Sequence, residues 1–319
     1  MQKRRRILMV LVAVPVIVAG GVTIGIANRG HDSRVRATAT TTTVTSTTVV
    51  ATTVTKATVT TPSTVPTTIA APATTALTIG VTPSTAAPTT AAVVPPVSAT
   101  GLGNVRGRTI VIDPGHDGGN GAHTSEIGRP IFIGTQTRAC DTTGTETNSG
   151  YSEAAYTLDV ALRLRDVLAA AGANVVMTRT TNDGWGPCID ERAAIGNRAH
   201  ADAALSIHAD GGPAGGRGFH VLMPALVAGY TDDIYSASHA LGVDVRDAFL
   251  ATGMPTSTYY ATDGLAERTD LGGLNLSNVP KVFIETGNMR NATDAGLLES
   301  AAFRQSEAQA LAVGLARFL

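Results

Sequence analysis

The chain has 319 residues, of which 15% are charged and 4% aromatic, so part of it lacks the material for a packed globule. Its net charge of -1 averages two unlike halves: residues 1–100 carry eight basic side chains against one acidic, and residues 101–319 carry 16 against 24. A compact region that acidic, without a basic stripe interleaved with aromatics, repels a phosphate backbone and excludes nucleic acid as a partner.

Taken in chain order, residues 1–6 hold the cationic cluster Lys3 to Arg6, and residues 7–27 are 21 uncharged positions rich in Val, Ile and Leu. About 20 apolar residues span a bilayer, whereas the apolar region of a secretory signal is usually about 7–15. Length therefore favours a retained transmembrane anchor over a cleaved signal peptide, although Gly25-Ile26-Ala27 has the small-residue character of a cleavage site. The preceding cations keep the N-terminus in the cytoplasm and send the rest outward. Residues 28–100 read as a disordered linker: from Ala37 to Thr100 there are 25 Thr and 7 Pro, with Lys56 the only charge. Such a chain buries too little area to recover its conformational entropy. Export makes a disulfide between the only two cysteines, Cys140 and Cys188, the expected pairing. It would close a loop worth about 3–4 kcal/mol in the chain-entropy model.

Residues 101–319 alternate short apolar runs with amphipathic stretches, which predicts one α/β domain with a mostly parallel sheet flanked by helices. The predicted strands are 109–112, 175–178, 203–207, 219–223 and 282–284; the predicted helices are 152–171, 190–199, 232–250 and 300–318. A Gly/Thr-rich excursion over 117–150 carries Cys140 and is expected to be an ordered loop pinned by the disulfide. Asn291 is expected to cap a following helix.

Three predicted strands run into polar residues at their carboxyl ends: His116, His208 and Glu285. Strand ends form the ligand crevice of an open α/β sheet, so these side chains are expected to converge. Glu153 shares a helical stripe with Thr157, Val160, Leu164, Val167 and Leu168 and so points inward. A buried carboxylate needs a positive partner, either an arginine, Arg179 or Arg192, or a metal ion. Two histidines and one glutamate form a donor set suited to Zn²⁺, one ion per chain, with a coordination position left open. Glu285 then fits a proton shuttle. Asp113 suits either support of His116 or a turn, Asp117 and His123 are alternative ligands, and Arg179 and Arg192 either bind a substrate carboxylate or fix the packing. His220 fits the core or the rim; His200 and His239 suit the surface.

Ile110-Val-Ile-Asp-Pro-Gly-His116, Ser152-Glu153 opening a helix, Met177-Thr-Arg179, Glu191-Arg192 with Asn197, Leu205-Ser-Ile-His208 and Pro280-Lys-Val-Phe-Ile-Glu285 occur in an order that resembles the zinc-dependent N-acetylmuramoyl-L-alanine amidases of the amidase-3 type. The resemblance implies zinc bound by His116, Glu153 and His208, with Glu285 catalytic. It also implies peptidoglycan as substrate, cut at the amide joining the lactyl group of N-acetylmuramic acid to L-alanine. The expected protein is thus an extracytoplasmic monomer, anchored to the membrane through residues 7–27 or secreted. The rival readings are a non-catalytic wall-binding regulator with the same fold, a zinc peptidase or deacetylase acting on the same polymer, and a glycosidase pairing Asp113 or Asp117 with Glu285.

Overall fold

The computed structural model describes residues 99–319. The basic cluster at 1–6, the apolar segment at 7–27 and all but the last residues of the linker expected at 28–100 lie outside the described residues. Among the described residues no helix is long and apolar enough to cross a membrane.

In chain order the elements are β1 (Thr109–Pro114), α1 (Thr124–Ile127), β2 (Pro130–Phe132), β3 (Thr137–Ala139), α2 (Glu153–Ala170), β4 (Asn174–Met177), α3 (Ile189–Arg198), β5 (Ala203–Asp210), β6 (His220–Pro224), α4 (Tyr235–Phe249), β7 (Leu265–Arg268), α5 (Gly272–Asn275), β8 (Lys281–Asn288), α6 (Ala292–Leu298) and α7 (Ala301–Phe318). Six strands form one sheet in the order β4-β1-β5-β8-β6-β7. The first four run parallel; β6 is antiparallel to β8, and β7 runs parallel to β6. The mostly parallel α/β domain expected from the sequence is the fold observed.

Side chains alternate across each strand, so one strand feeds two layers. On one face Ile110, Ile112, Leu205, Ile207, Val282 and Ile284 are buried against α2, α4 and α7. This is the main core, and α7, buried on several sides, packs against both α2 and α4. The opposite face carries a smaller cluster of Val111, Ala204 and Val279 with Ile195 of α3. Helix starts follow local chemistry: Ser152, Asn291 and Ser300 each accept a backbone N–H of the following turn, at α2, α6 and α7.

Two differences from the sequence reading bear on function. The excursion after His116 is ordered, but it contains α1 and the antiparallel hairpin β2–β3. Three-residue strands carry too little periodicity to be read from sequence. The bond between Cys140, just after β3, and Cys188, at the start of α3, ties this excursion to the body of the domain. In addition, β8 extends to Asn288 rather than ending at residue 284, because it is paired on both sides, with β5 and with β6. The edge strand β7 and the Gly-rich α5 are further elements without a clear signal in sequence.

Candidate metal centre

The apolar run of β1 ends in Asp113-Pro114, and two residues later the chain turns to present His116. At Gly115 only glycine fits, since a Cβ there would lie 2.2 Å from the His208 ring. His116 itself sits in the left-handed region with φ 55°, a conformation that costs a non-glycine residue about 1 kcal/mol or more. Its ring is held from behind: Nδ1 lies 2.9 Å from Asp141 Oδ1 and 3.0 Å from the Thr142 carbonyl. Those acceptors fix the proton on Nδ1 and leave Nε2 facing Glu153 Oε2 at 3.4 Å.

Glu153 opens α2 and is buried, as its helical stripe predicts. Its carboxylate sits at the positive end of the helix. Oε2 accepts from Thr145 N–H at 2.9 Å, and Oε1 accepts from Ala209 N–H at 3.3 Å and lies 3.0 Å from His208 Nδ1. His208 lies within β5, and its ring stacks on Phe283 with 5.2 Å between centroids. One nitrogen or oxygen atom from each of His116, Glu153 and His208 falls within 4.8 Å of the others. A Cβ at Gly144 would come within 2.8 Å of both Glu153 and His116, so this close cradle also requires glycine.

The electrostatics of the cluster favour a cation. Burial alone would raise the Glu153 carboxyl, but His116 and His208 hold it well below the usual carboxylate range. Burial would lower the His116 ring, yet Glu153 and Asp141 outweigh it and push it up to about 10. Two imidazole nitrogens and one ionised carboxylate at this spacing are the donor types that zinc takes. These residues fit the metal that the sequence reading assigns to them.

Glu285 lies in register with His208 on β5 and with His220 on β6. Its Oε2 is buried without a hydrogen-bond partner. Burial pushes its carboxyl well above the usual range, and the nearby Glu153 and Asp210 add to the shift. His220 is a core residue, 2% exposed. Next to His116 and His208 opens a cavity of about 340 Å³, walled by Ile189, Leu271 and Phe283 and edged by the Arg138–Asp270 ion pair.

The other residues weighed in the sequence add no donor atom to the cluster. Neither Arg179 nor Arg192 pairs with Glu153. Arg179 donates to the carbonyls of Pro114, Gly115 and Ala154, while Arg192 bridges Asp113 and Asp141. Both arginines are buried and spend their donors on internal acceptors, although Arg192 also lines the cavity beside His116. Asp113 accepts from Arg192, Thr178, Lys281 and Ser206; through Arg192 it is linked to the His116 carbonyl and, by way of Asp141, to the His116 ring. Asp117 lies beside Gly184, and His123 stacks on Trp185. Asp141 and Lys281 are contributors that the sequence reading missed. The position of Asp141 beside Cys140 is the one signal that could have found it, since the disulfide carries that loop to α3 and thus to Arg192.

The family profile described as N-acetylmuramoyl-L-alanine amidase (Amidase_3) matches residues 110–317. The chain belongs to that amidase family. N-acetylmuramoyl-L-alanine amidase Rv3717 of Mycobacterium tuberculosis is 44% identical over 217 residues, covering 68% of this chain and 88% of that protein. Among solved structures, the N-acetylmuramyl-L-alanine amidase Ami1 of Mycobacterium smegmatis superposes with a TM-score of 0.64 at 41% identity, covering 67% of this chain and 98% of that one. Ami1 of Mycobacterium abscessus gives 0.63 at 40% identity, covering 67% and 99%. The amidase domain therefore occupies essentially all of the described residues, and in it the cluster draws His116 from just after β1, His208 from β5 and Glu153 from the start of α2.

Proposed function

We propose that this amidase is zinc-dependent and hydrolyses the amide between the lactyl group of N-acetylmuramic acid and L-alanine of the peptidoglycan stem peptide. The observation that carries the reading is the convergence of His116, Glu153 and His208, with Glu285 next to His208 across the sheet. His116, Glu153 and His208 would hold a zinc ion, which would supply Lewis acidity for the scissile carbonyl and for the attacking water.

The remaining work belongs to the protein. Asp141 keeps a proton on His116 Nδ1, so that Nε2, which faces Glu153, is the nitrogen that would give up its proton and turn its lone pair to a metal. Glu285 Oε2, with no internal partner, is free to take a proton from the attacking water and to return it to the nitrogen of the departing L-alanine. Ile189, Leu271 and Phe283 give the cavity beside His116 and His208 an apolar side against which substrate can pack. Replacing His116 with Ala is expected to abolish both zinc binding and turnover; stoichiometric zinc in that variant would refute the ligand assignment.

The apolar segment at residues 7–27 and the Thr/Pro linker extend the proposal to location: a monomer acting outside the cytoplasmic membrane, anchored through that segment or secreted after its cleavage. Fractionation of cells expressing the full chain tests this, and recovery of the intact protein in the cytosol would contradict it.

A further inference from the structure

The elements that deliver Glu153, His208 and Glu285 are joined a second time, away from the reacting centre, by polar groups that the mechanism does not use. Tyr156 lies one turn after Glu153 on α2, Thr286 follows Glu285 on β8, and Glu307 sits in the middle of α7. All three are completely buried. Tyr156 Oη is 2.6 Å from Thr286 Oγ1 and 2.8 and 2.9 Å from the two oxygens of Glu307, and Thr286 Oγ1 is 3.0 Å from the His208 carbonyl oxygen.

Counting hydrogens gives this chain a direction. A carbonyl only accepts, so Thr286 spends its single hydrogen on His208. The Tyr156–Thr286 contact must then be donated by Tyr156, which spends its own. The Glu307–Tyr156 contact is left to a hydrogen on Glu307. As a carboxylic acid, Glu307 completes three bonds running toward the His208 backbone. As a carboxylate it would leave one contact without a hydrogen and place a charge beside the main core, both costly in an apolar interior. Burial agrees with the count, pushing the Glu307 carboxyl well above the usual range although Tyr156 and Arg304 pull the other way.

We propose that Glu307 is a positioning residue: held as a neutral acid, it acts through Tyr156 and Thr286 to fix the spacing of α2, β8 and β5, and with it the spacing of Glu153, Glu285 and His208. The inference rests on the metal-site reading above. A hydrogen-bond donor at this position is then what matters, and Gln can supply one where Ala cannot.

The test compares the full chain with its Glu307→Gln, Glu307→Ala, Tyr156→Phe and Thr286→Val variants. Four quantities are read: zinc retained against a chelator, kcat and KM on purified peptidoglycan, melting temperature, and the infrared C=O stretch of a protonated carboxyl at neutral pH. Glu307→Gln is expected to match the unmutated chain in zinc retention and kcat while losing the component of the infrared band that persists in Glu285→Gln. Glu307→Ala and Tyr156→Phe are expected to lose about 10-fold to 100-fold in zinc affinity or kcat, with KM unchanged. Thr286→Val removes the link to His208 at nearly constant volume; it is expected to show the same loss and keeps the test decisive if Glu307→Ala fails to fold. Equal zinc retention and kcat in Glu307→Ala and the unmutated chain would overturn the role of Glu307 alone, as would equal damage in Glu307→Gln and Glu307→Ala. An unmutated chain that binds no zinc would overturn the metal reading and this inference together.

Discussion

On one face of the central sheet Ile112 and Leu205 meet α2, α4 and α7 in an apolar layer; on the other, their chain neighbours Asp113 and Ser206 join Arg192, Thr178 and Lys281 in a buried polar network. The period-2 alternation of the strands sends each kind of residue to its own side. The apolar layer depends on volume and tolerates small changes of shape. Removing one partner from the polar layer leaves the others charged and out of water. The proposed metal site is assembled on the polar side, where Arg192 links Asp113 to Asp141 and Asp141 holds the His116 ring. Glu153 reaches it from α2, a helix whose other inward residues belong to the apolar layer.

The largest expected effect belongs to the reacting end of the polar side. Glu285→Gln keeps the shape and the zinc but removes the proton shuttle, so kcat is expected to fall by roughly 10²–10⁴-fold while zinc content stays unchanged by elemental analysis. Next comes the structural end of the same face. Asp113→Asn leaves Lys281 without its counter-charge and Arg192 with Asp141 alone, and is expected to cost about 3–5 kcal/mol in denaturant unfolding at pH 7.

Acid titration sharpens that prediction. Burial would raise the Asp113 carboxyl, but Lys281 and Arg192 hold it far below the usual carboxylate range. A group depressed in the folded state stabilises fully above its unfolded pKa of about 3.9, and the contribution fades as pH falls from there toward the folded value. The gap between Asp113→Asn and the unmutated chain is therefore expected to be constant from neutral pH down to about 4 and to narrow below it. A gap that narrows between pH 7 and 5 would contradict the assignment.

Replacing Cys140 and Cys188 together with Ser is expected to cost about 2–4 kcal/mol. It should also lower zinc affinity, because Asp141 adjoins Cys140. The smallest effect lies on the apolar side: Ile112→Val, one residue from Asp113, is expected to cost about 0.5–1.5 kcal/mol with activity intact. If Ile112→Val proved as damaging as Asp113→Asn, the contrast between the two faces would be lost.

Much of this arrangement was legible in the chain because it follows local periodicity. The stripe through Glu153, Thr157, Val160 and Leu164 marks the buried side of α2, and the apolar runs before His116 and His208 mark adjacent strands β1 and β5. Patterning could not decide whether Glu153 met an arginine or the two histidines, since that depends on which elements pack across the edge of the sheet. Nor could it find Asp141, which sits in a loop without period, or Glu307, whose helix is apolar on so many sides that no single stripe separates buried from exposed. Lys281 reads as an ordinary charged strand start; only the packed sheet reveals it as the buried counter-charge of Asp113.

The most direct test of the central claim is mass spectrometry of the products released from purified peptidoglycan by the full chain, with zinc, with a chelator, and with Glu285→Gln in place of the unmutated protein. The account predicts free stem peptides beginning with L-alanine in the first case and none in the other two. Release of such peptides undiminished by the chelator or by the substitution, or release of sugar fragments instead, would contradict it.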